Sequence, residues 1–198
     1  MTAPLTDVAL PSTAPWTDTR LVRECLDGNQ EAWEALVDKY KNLIYSIPIK
    51  FQLGPDAAAD IFQSVCVELL SELGSLREPK ALPKWLMQVS AHKCIQWKRL
   101  ESRSIHLVEG EEPPARGNPA LDSEQILREA EQEQILRDAV AGLPPRCARL
   151  VEMLFFHEPA LPYAEVAARL GIATGSIGFI RGRCLKRLRK ELESQGHA

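Results

Sequence analysis

The chain has no uninterrupted apolar run of about 18 residues, so nothing in it reads as a membrane-spanning helix. Its opening stretch, Met1 to Trp16, holds neither a basic segment nor an apolar core of the secretory type, which points to a cytoplasmic protein without membrane insertion. The four histidines, His92, His106, His157 and His197, are dispersed. There is no glycine-rich phosphate loop and no nucleophile–base arrangement, so neither an enzyme nor a cofactor is expected. Cys25, Cys66, Cys94, Cys147 and Cys184 are odd in number, scattered and without a C-x-x-C pair. That pattern argues against a disulfide framework and against a zinc site; reduced, mostly buried thiols and no bound metal are expected. Alternation of the strand type is also missing, which leaves an all-α reading.

What is present is the composition of a folding chain: 45% hydrophobic and 26% charged residues over 198 positions, close to soluble averages. A formal net charge of −3 gives no sign of a nucleic-acid partner, but the sum hides segments of opposite sign. Arg77 to Arg103 holds seven basic residues against two acids, and Tyr163 onward holds seven against three. Between these basic islands, Ser104 to Asp138 has three basic residues against nine acids.

Met1 to Trp16, rich in Thr, Pro and Ala, reads as a disordered tail. Thr17 to Leu26 is a short helix, and after Asp27–Gly28–Asn29 a second carries Trp33, Leu36, Val37, Tyr40, Leu43, Ile44 and Ile47 at three-and-four spacing, with Pro48 ending or kinking it. From Pro55, Ile61, Phe62, Val65, Cys66, Leu69 and Leu73 form an apolar face that leaves Asp60, Gln63, Ser64, Glu68 and Ser71 outward. A helix running to about Leu100 clusters Leu82, Trp85, Leu86, Val89, Trp97 and Leu100. Ser104 to Leu121 has the Pro, Gly and acid content of a flexible linker. Helices at about 122–141, 145–156, 163–170 and 174–192 follow, and 194–198 is a tail. The expected architecture is therefore two small helical domains, 17–103 and 122–193, joined by an acidic, Pro-containing linker at 104–121.

The second domain carries a helix-turn-helix spacing. With Tyr163 as the first position, Ala167 is fifth, Gly171 ninth and Ile177 fifteenth. A small residue lets the helices cross closely, glycine permits the positive φ of the turn, and Ile177 locks the second helix. Such a helix can enter the major groove. Projected at 100° per residue, Ile177, Ile180, Cys184, Leu188 and Leu192 face inward, with Arg181 toward that buried side. Phe179, Arg183, Lys186 and Lys190 face outward, and Ser176 and Arg187 lie on a margin. These six, Ser176, Phe179, Arg183, Lys186, Arg187 and Lys190, are the candidates for duplex DNA.

In the first domain, Asp60 and Gln63 stand one turn apart on a polar face, read either as solvated surface or as a contact. Trp85, His92, Lys93, Lys98 and Arg99 combine an aromatic with hydrogen-bonding and cationic side chains, suited to phosphates and unpaired bases. Trp97 reads as core; for Trp85 core and contact are equally open.

In order and spacing these pieces resemble the extracytoplasmic-function (ECF) RNA polymerase sigma factors, over about Leu21 to Leu192. D-G-N-Q-E-A-W-E-A-L-V-D-K-Y from Asp27 is similar to that family's first conserved stretch. A-D-I-F-Q from Ala59 is similar to its D-x-x-Q motif, W-L-M-Q-V-S-A-H-K from Trp85 to its W-L helix, and L-P-P-R-C-A-R-L-V from Leu143 with A-E-V-A-A-R-L-G-I from Ala164 to its upstream domain. The resemblance implies a sigma factor that binds core RNA polymerase and directs promoter recognition and transcription initiation. Asp60 and Gln63 would face the polymerase clamp helices and the second domain the flap. Trp85, His92, Lys93, Lys98 and Arg99 would read and melt the −10 element, and the second domain would hold the −35 element. An anti-sigma factor is a further partner such proteins can have. An autonomous helix-turn-helix regulator is the alternative, but no extra dimerisation element is visible. The sequence departs from the family pattern at Ser64, Ala91, His92 and Gln96, and at Gly178, Phe179 and Ile180.

Overall fold

The computed structural model describes the backbone over residues 16–109 and 119–194, and side chains over 16–102 and 123–194. Within it the chain is helical: α1 (Asp18–Leu26), α2 (Gln30–Lys50), α3 (Pro55–Glu72), α4 (Leu82–Glu109), α5 (Pro119–Ala141), α6 (Pro145–Phe155), α7 (Tyr163–Leu170) and α8 (Ile177–Ser194). No strand occurs among the described residues.

Local chemistry sets most of these boundaries. The Thr17 hydroxyl accepts from the Arg20 amide and opens α1, and the Asn29 carboxamide oxygen accepts from the amides of Glu31 and Ala32 to open α2. Between them Gly28 takes φ +82°, which a side chain would resist. Pro48 does not stop α2 where it stands. The proline is buried, the helix runs on to Lys50, and the Pro48 carbonyl accepts from the Leu53 amide at 3.0 Å as the chain turns. Pro55 and Pro145 each occupy the first turn of a helix, where the missing N–H costs nothing.

Two hydrophobic clusters form. The first gathers Leu21, Leu36, Tyr40, Ile44, Ile61, Val65, Leu69, Leu82 and Leu86 from α1–α4. The second gathers Val140, Leu150, Val151, Val166, Ala167, Ile177 and Leu188 from α5–α8. α5 serves both: Ile126, Leu127 and Ala130 pack on the first cluster, while Ala139 and Val140 belong to the second. The helices also reach into the expected linker, with α4 extending to Glu109 and α5 starting at Pro119. The linker expected at 104–121 thus has only 110–118 outside the described residues, as are 1–15 and 195–198 of the expected tails. Trp16, expected in the N-terminal tail, instead packs against the first cluster with the Arg20 guanidinium 4.3 Å over its ring.

The cysteine expectation is corrected. Cys147 on α6 and Cys184 on α8 are joined by a disulfide. Both sit on the core-facing stripes of their helices, Cys147 with Leu150 and Val151, and Cys184 between Ile177 and Leu188. Packing brings together two residues whose sequence spacing carries no signal. Cys25, Cys66 and Cys94 are free, and burial pushes the thiols of Cys25 and Cys94 up to about 11 and about 12, which keeps them protonated and unreactive near neutrality.

A polar seam runs where α5 meets α1 and α2. Lys39 Nζ and the Tyr40 hydroxyl both donate to Asp18 Oδ1 at 2.6 Å, and Gln134 Nε2 donates to Asp138 Oδ1 at 3.0 Å. Lys39 also lies 3.9 Å from Asp138, and Lys50 pairs with Glu133 at 2.8 Å and Glu129 at 3.4 Å. Burial raises the Asp138 carboxyl above its ordinary value of 3.8, against the pull of Lys39 and Gln134. A carboxyl raised in the folded state holds its proton more tightly than in the unfolded chain. Its ionisation therefore withdraws stability as pH climbs from about 3.8 through the folded value. Asp138→Asn is accordingly expected to raise the melting temperature at pH 7 relative to wild type and to lose that advantage near pH 4. Thermal unfolding at the two pH values checks it; an Asn variant less stable at pH 7 would show that the Lys39 attraction outweighs desolvation.

Candidate nucleic-acid interface

The second cluster holds α8 against α5 and α6, with α7 packed on α6 and on the turn that leads into α8. Val166 and Ala167 of α7 are buried in it, and Gly171 takes φ +61°, ψ 43°. The Ile172 amide then reaches back to the Ala167 carbonyl at 3.0 Å, the closing bond of a left-handed helix cap. After a 3₁₀ turn at Thr174–Ser176, α8 begins at Ile177, which is fully buried. The helix-turn-helix predicted from spacing is present, with the turn at Gly171.

All six sequence-predicted duplex contacts, Ser176, Phe179, Arg183, Lys186, Arg187 and Lys190, are exposed. The Arg183 guanidinium lies 5.8 Å over the Phe179 ring. Arg181 corrects the projection: it is exposed, and its Nη1 donates to the Tyr163 hydroxyl at 2.7 Å. Its backbone position borders the buried face, but a long side chain carries its charge away from the core to water and to a partner on α7.

The candidates on α4 do not all come together. Trp85, His92 and Arg99, seven residues apart, stay within about 40° of one line along the helix. His92 and Arg99 are exposed, Gln96 Nε2 sits 3.3 Å from His92 Nε2, and Trp85 is half-buried against the first cluster. Lys93 is drawn aside to pair with Glu68 of α3 at 2.6 Å. Lys98 lies about 120° round the helix from His92, with its ammonium 5.6 Å from the centre of the Phe51 ring. Trp97 packs against the first cluster, half-buried.

On α3, Asp60 and Gln63 are exposed. The same outward stripe continues in Val67 and Leu70, 66% and 63% accessible, which sequence patterning passes over. Their signal was available: two aliphatics fall outside the apolar face that Ile61, Val65 and Leu69 already complete. Beside them an open groove of about 700 Å³ between α2 and α3 is lined by Trp33, Val37, Cys66, Leu69 and Leu70. Among the described residues no helix is long and apolar enough to cross a membrane, and no group of metal-ligating side chains assembles.

A helix-turn-helix unit with an exposed cationic second helix, preceded by a separate helical cluster, defines a DNA-binding transcription protein. Residues 139–190 match the family model of sigma-70, region 4. The chain is 23% identical over 168 residues to the ECF RNA polymerase sigma-E factor of Escherichia coli, covering 81% of this chain and 86% of that protein. It is 25% identical over 141 residues to the RNA polymerase sigma-E factor of Streptomyces avermitilis, covering 71% and 74%. Among solved structures, CnrH in complex with the cytosolic domain of CnrY aligns over 89% of this chain and 97% of that one, at 17% identity and a TM-score of 0.38. Together these likenesses support a sigma factor of the extracytoplasmic-function group that directs transcription initiation.

Proposed function

We propose that the chain works in the bacterial cytoplasm, binding core RNA polymerase through 17–103 and placing it at promoters by holding two DNA elements. Catalysis of RNA synthesis is left to core polymerase. In this reading Asp60 and Gln63 meet the clamp helices and the second domain, 122–193, meets the flap. Trp85, His92, Lys93, Lys98 and Arg99 serve the −10 element, with the His92–Arg99 stripe as its exposed centre. Ser176, Phe179, Arg183, Lys186, Arg187 and Lys190 serve the −35 element. An anti-sigma factor is a further partner. The observation that carries the reading is the exposed cationic face of α8 on a helix-turn-helix that matches sigma-70 region 4.

The autonomous regulator is less well supported, because the sigma-E relatives align across both clusters and not over the helix-turn-helix alone. Run-off transcription with purified core polymerase discriminates. Addition of this chain is expected to produce promoter-specific transcripts, whereas DNA binding without any core-dependent transcript at a selected promoter would favour the regulator.

A further inference from the structure

Phe179 is 71% accessible, the most exposed of the large hydrophobic side chains described, and stands third in α8. Single exposed apolar residues are ordinary on protein surfaces. This one differs in its company. The Arg183 guanidinium, one turn on, lies over its ring. Gly178 and Gly182 flank it, and a Cβ built on either would meet nothing within 4 Å. Glycine inside a helix lowers its stability, and these two pack against nothing within the chain. Bare backbone on that face allows another body to come close.

Position along α8 separates two kinds of contact. The N-terminal residues of a recognition helix meet base edges, while cations farther along meet phosphates. Phe179 and Arg183 fall in the first half of α8, and Lys186, Arg187 and Lys190 in the second. In the major groove thymine presents a methyl group that apolar side chains cover, and guanine presents O6 and N7 to the arginine fork. Four residues of helix rise about 6 Å, less than two base-pair steps of about 3.4 Å each. We infer that Phe179 and Arg183 act as one reader in the upstream element: the phenyl ring covers a thymine methyl, and Arg183, steadied across that ring, pairs with a guanine one or two steps away. The inference rests on the proposed role of α8 and deepens it by naming the bases.

The test uses holoenzyme assembled from core polymerase and the full chain, selected on duplexes randomised over the upstream region. Recovered sequences are expected to fix a thymine and a guanine within two base pairs of each other. Replacing that thymine by deoxyuridine removes only the methyl. It is expected to weaken wild-type binding about threefold or more and to leave Phe179→Ala unaffected, while Arg183→Ala loses preference for the guanine by about tenfold. Both side chains are exposed, so the variants keep the core intact. Gly182→Ala is expected to raise the melting temperature yet weaken promoter binding. Lys186→Ala should weaken all sequences alike and lower the salt dependence by roughly one ion.

If Lys186→Ala behaves so while deoxyuridine changes nothing in wild type, the thymine reading is overturned and the role of α8 stands. If neither Lys186→Ala nor Arg183→Ala alters affinity or salt slope, α8 is not the recognition surface and the inference falls with it.

Discussion

Reduction of the Cys147–Cys184 bridge is expected to lower the stability of the second domain by about 4 kcal/mol, from the chain entropy of a closed loop of this length. The two cysteines are 37 residues apart and tie α6 to α8, so the bridge restricts much of the unfolded 139–190 segment. Two measurements check the expectation. Under denaturing conditions without reductant, three thiols should react, those of Cys25, Cys66 and Cys94, and five after reduction. In urea, the midpoint of wild type should fall when a phosphine reductant is added, and the Cys147→Ala/Cys184→Ala variant should unfold at one midpoint with or without it. Five reactive thiols before reduction, or a wild-type midpoint indifferent to reductant, would sink the idea. Because α8 carries the proposed upstream contacts, reduced wild type should also bind promoter duplex less tightly at temperatures where the bridged form remains folded.

The helix-turn-helix was legible because its constraints are local and chemically narrow. A small residue, a left-handed glycine and a buried aliphatic at fixed spacing, Ala167, Gly171 and Ile177, admit few alternatives. The disulfide was not, since Cys147 and Cys184 meet only after α6 and α8 pack. The extent of α4 and α5 was also missed, for a different reason. Residues 104–109 contain no proline or glycine to break a helix, while the prolines that suggest a linker begin at Pro113.

α5 hides its pattern because its two halves face different clusters: Ile126, Leu127 and Ala130 look one way, and Ala139 and Val140 serve another core. Side-chain reach explains the remaining differences. A helical projection assigns directions to Cβ atoms, but Lys93 finds Glu68, Lys98 finds the Phe51 ring and Arg181 finds Tyr163, each at the end of a long flexible chain. Of the five residues read as serving the −10 element, the short-reach His92 keeps its expected outward face, and Arg99 remains exposed on the same line.

Replacing both Asp60 and Gln63 by alanine is expected to weaken binding to core polymerase at least tenfold, about 1.4 kcal/mol or more, while leaving the fold unchanged. The fold half of that expectation follows from burial. Both side chains are exposed on the face of α3 opposite Ile61, Val65 and Leu69, and exposed substitutions of this kind usually move stability by no more than about 0.5 kcal/mol. The binding half follows from what surrounds them. Polar groups on a surface are ordinarily replaceable, but these two lead into Val67 and Leu70 and the α2–α3 groove, so the stripe joins hydrogen-bonding groups to uncovered apolar area. Exposed aliphatics in such a setting gain by being covered, at roughly 25 cal/mol per Å² of apolar area, while the adjacent polar pair fixes the register of whatever covers them. Leu70→Ser should therefore add to the loss produced by the polar double variant. The measurement is a titration of labelled chain with core polymerase, paired with thermal unfolding of each variant. Unchanged core affinity in a double variant that melts like wild type would remove Asp60 and Gln63 from the polymerase contact. A loss confined to Leu70→Ser would instead locate that contact on the apolar end of the stripe and the groove beside Trp33 and Val37.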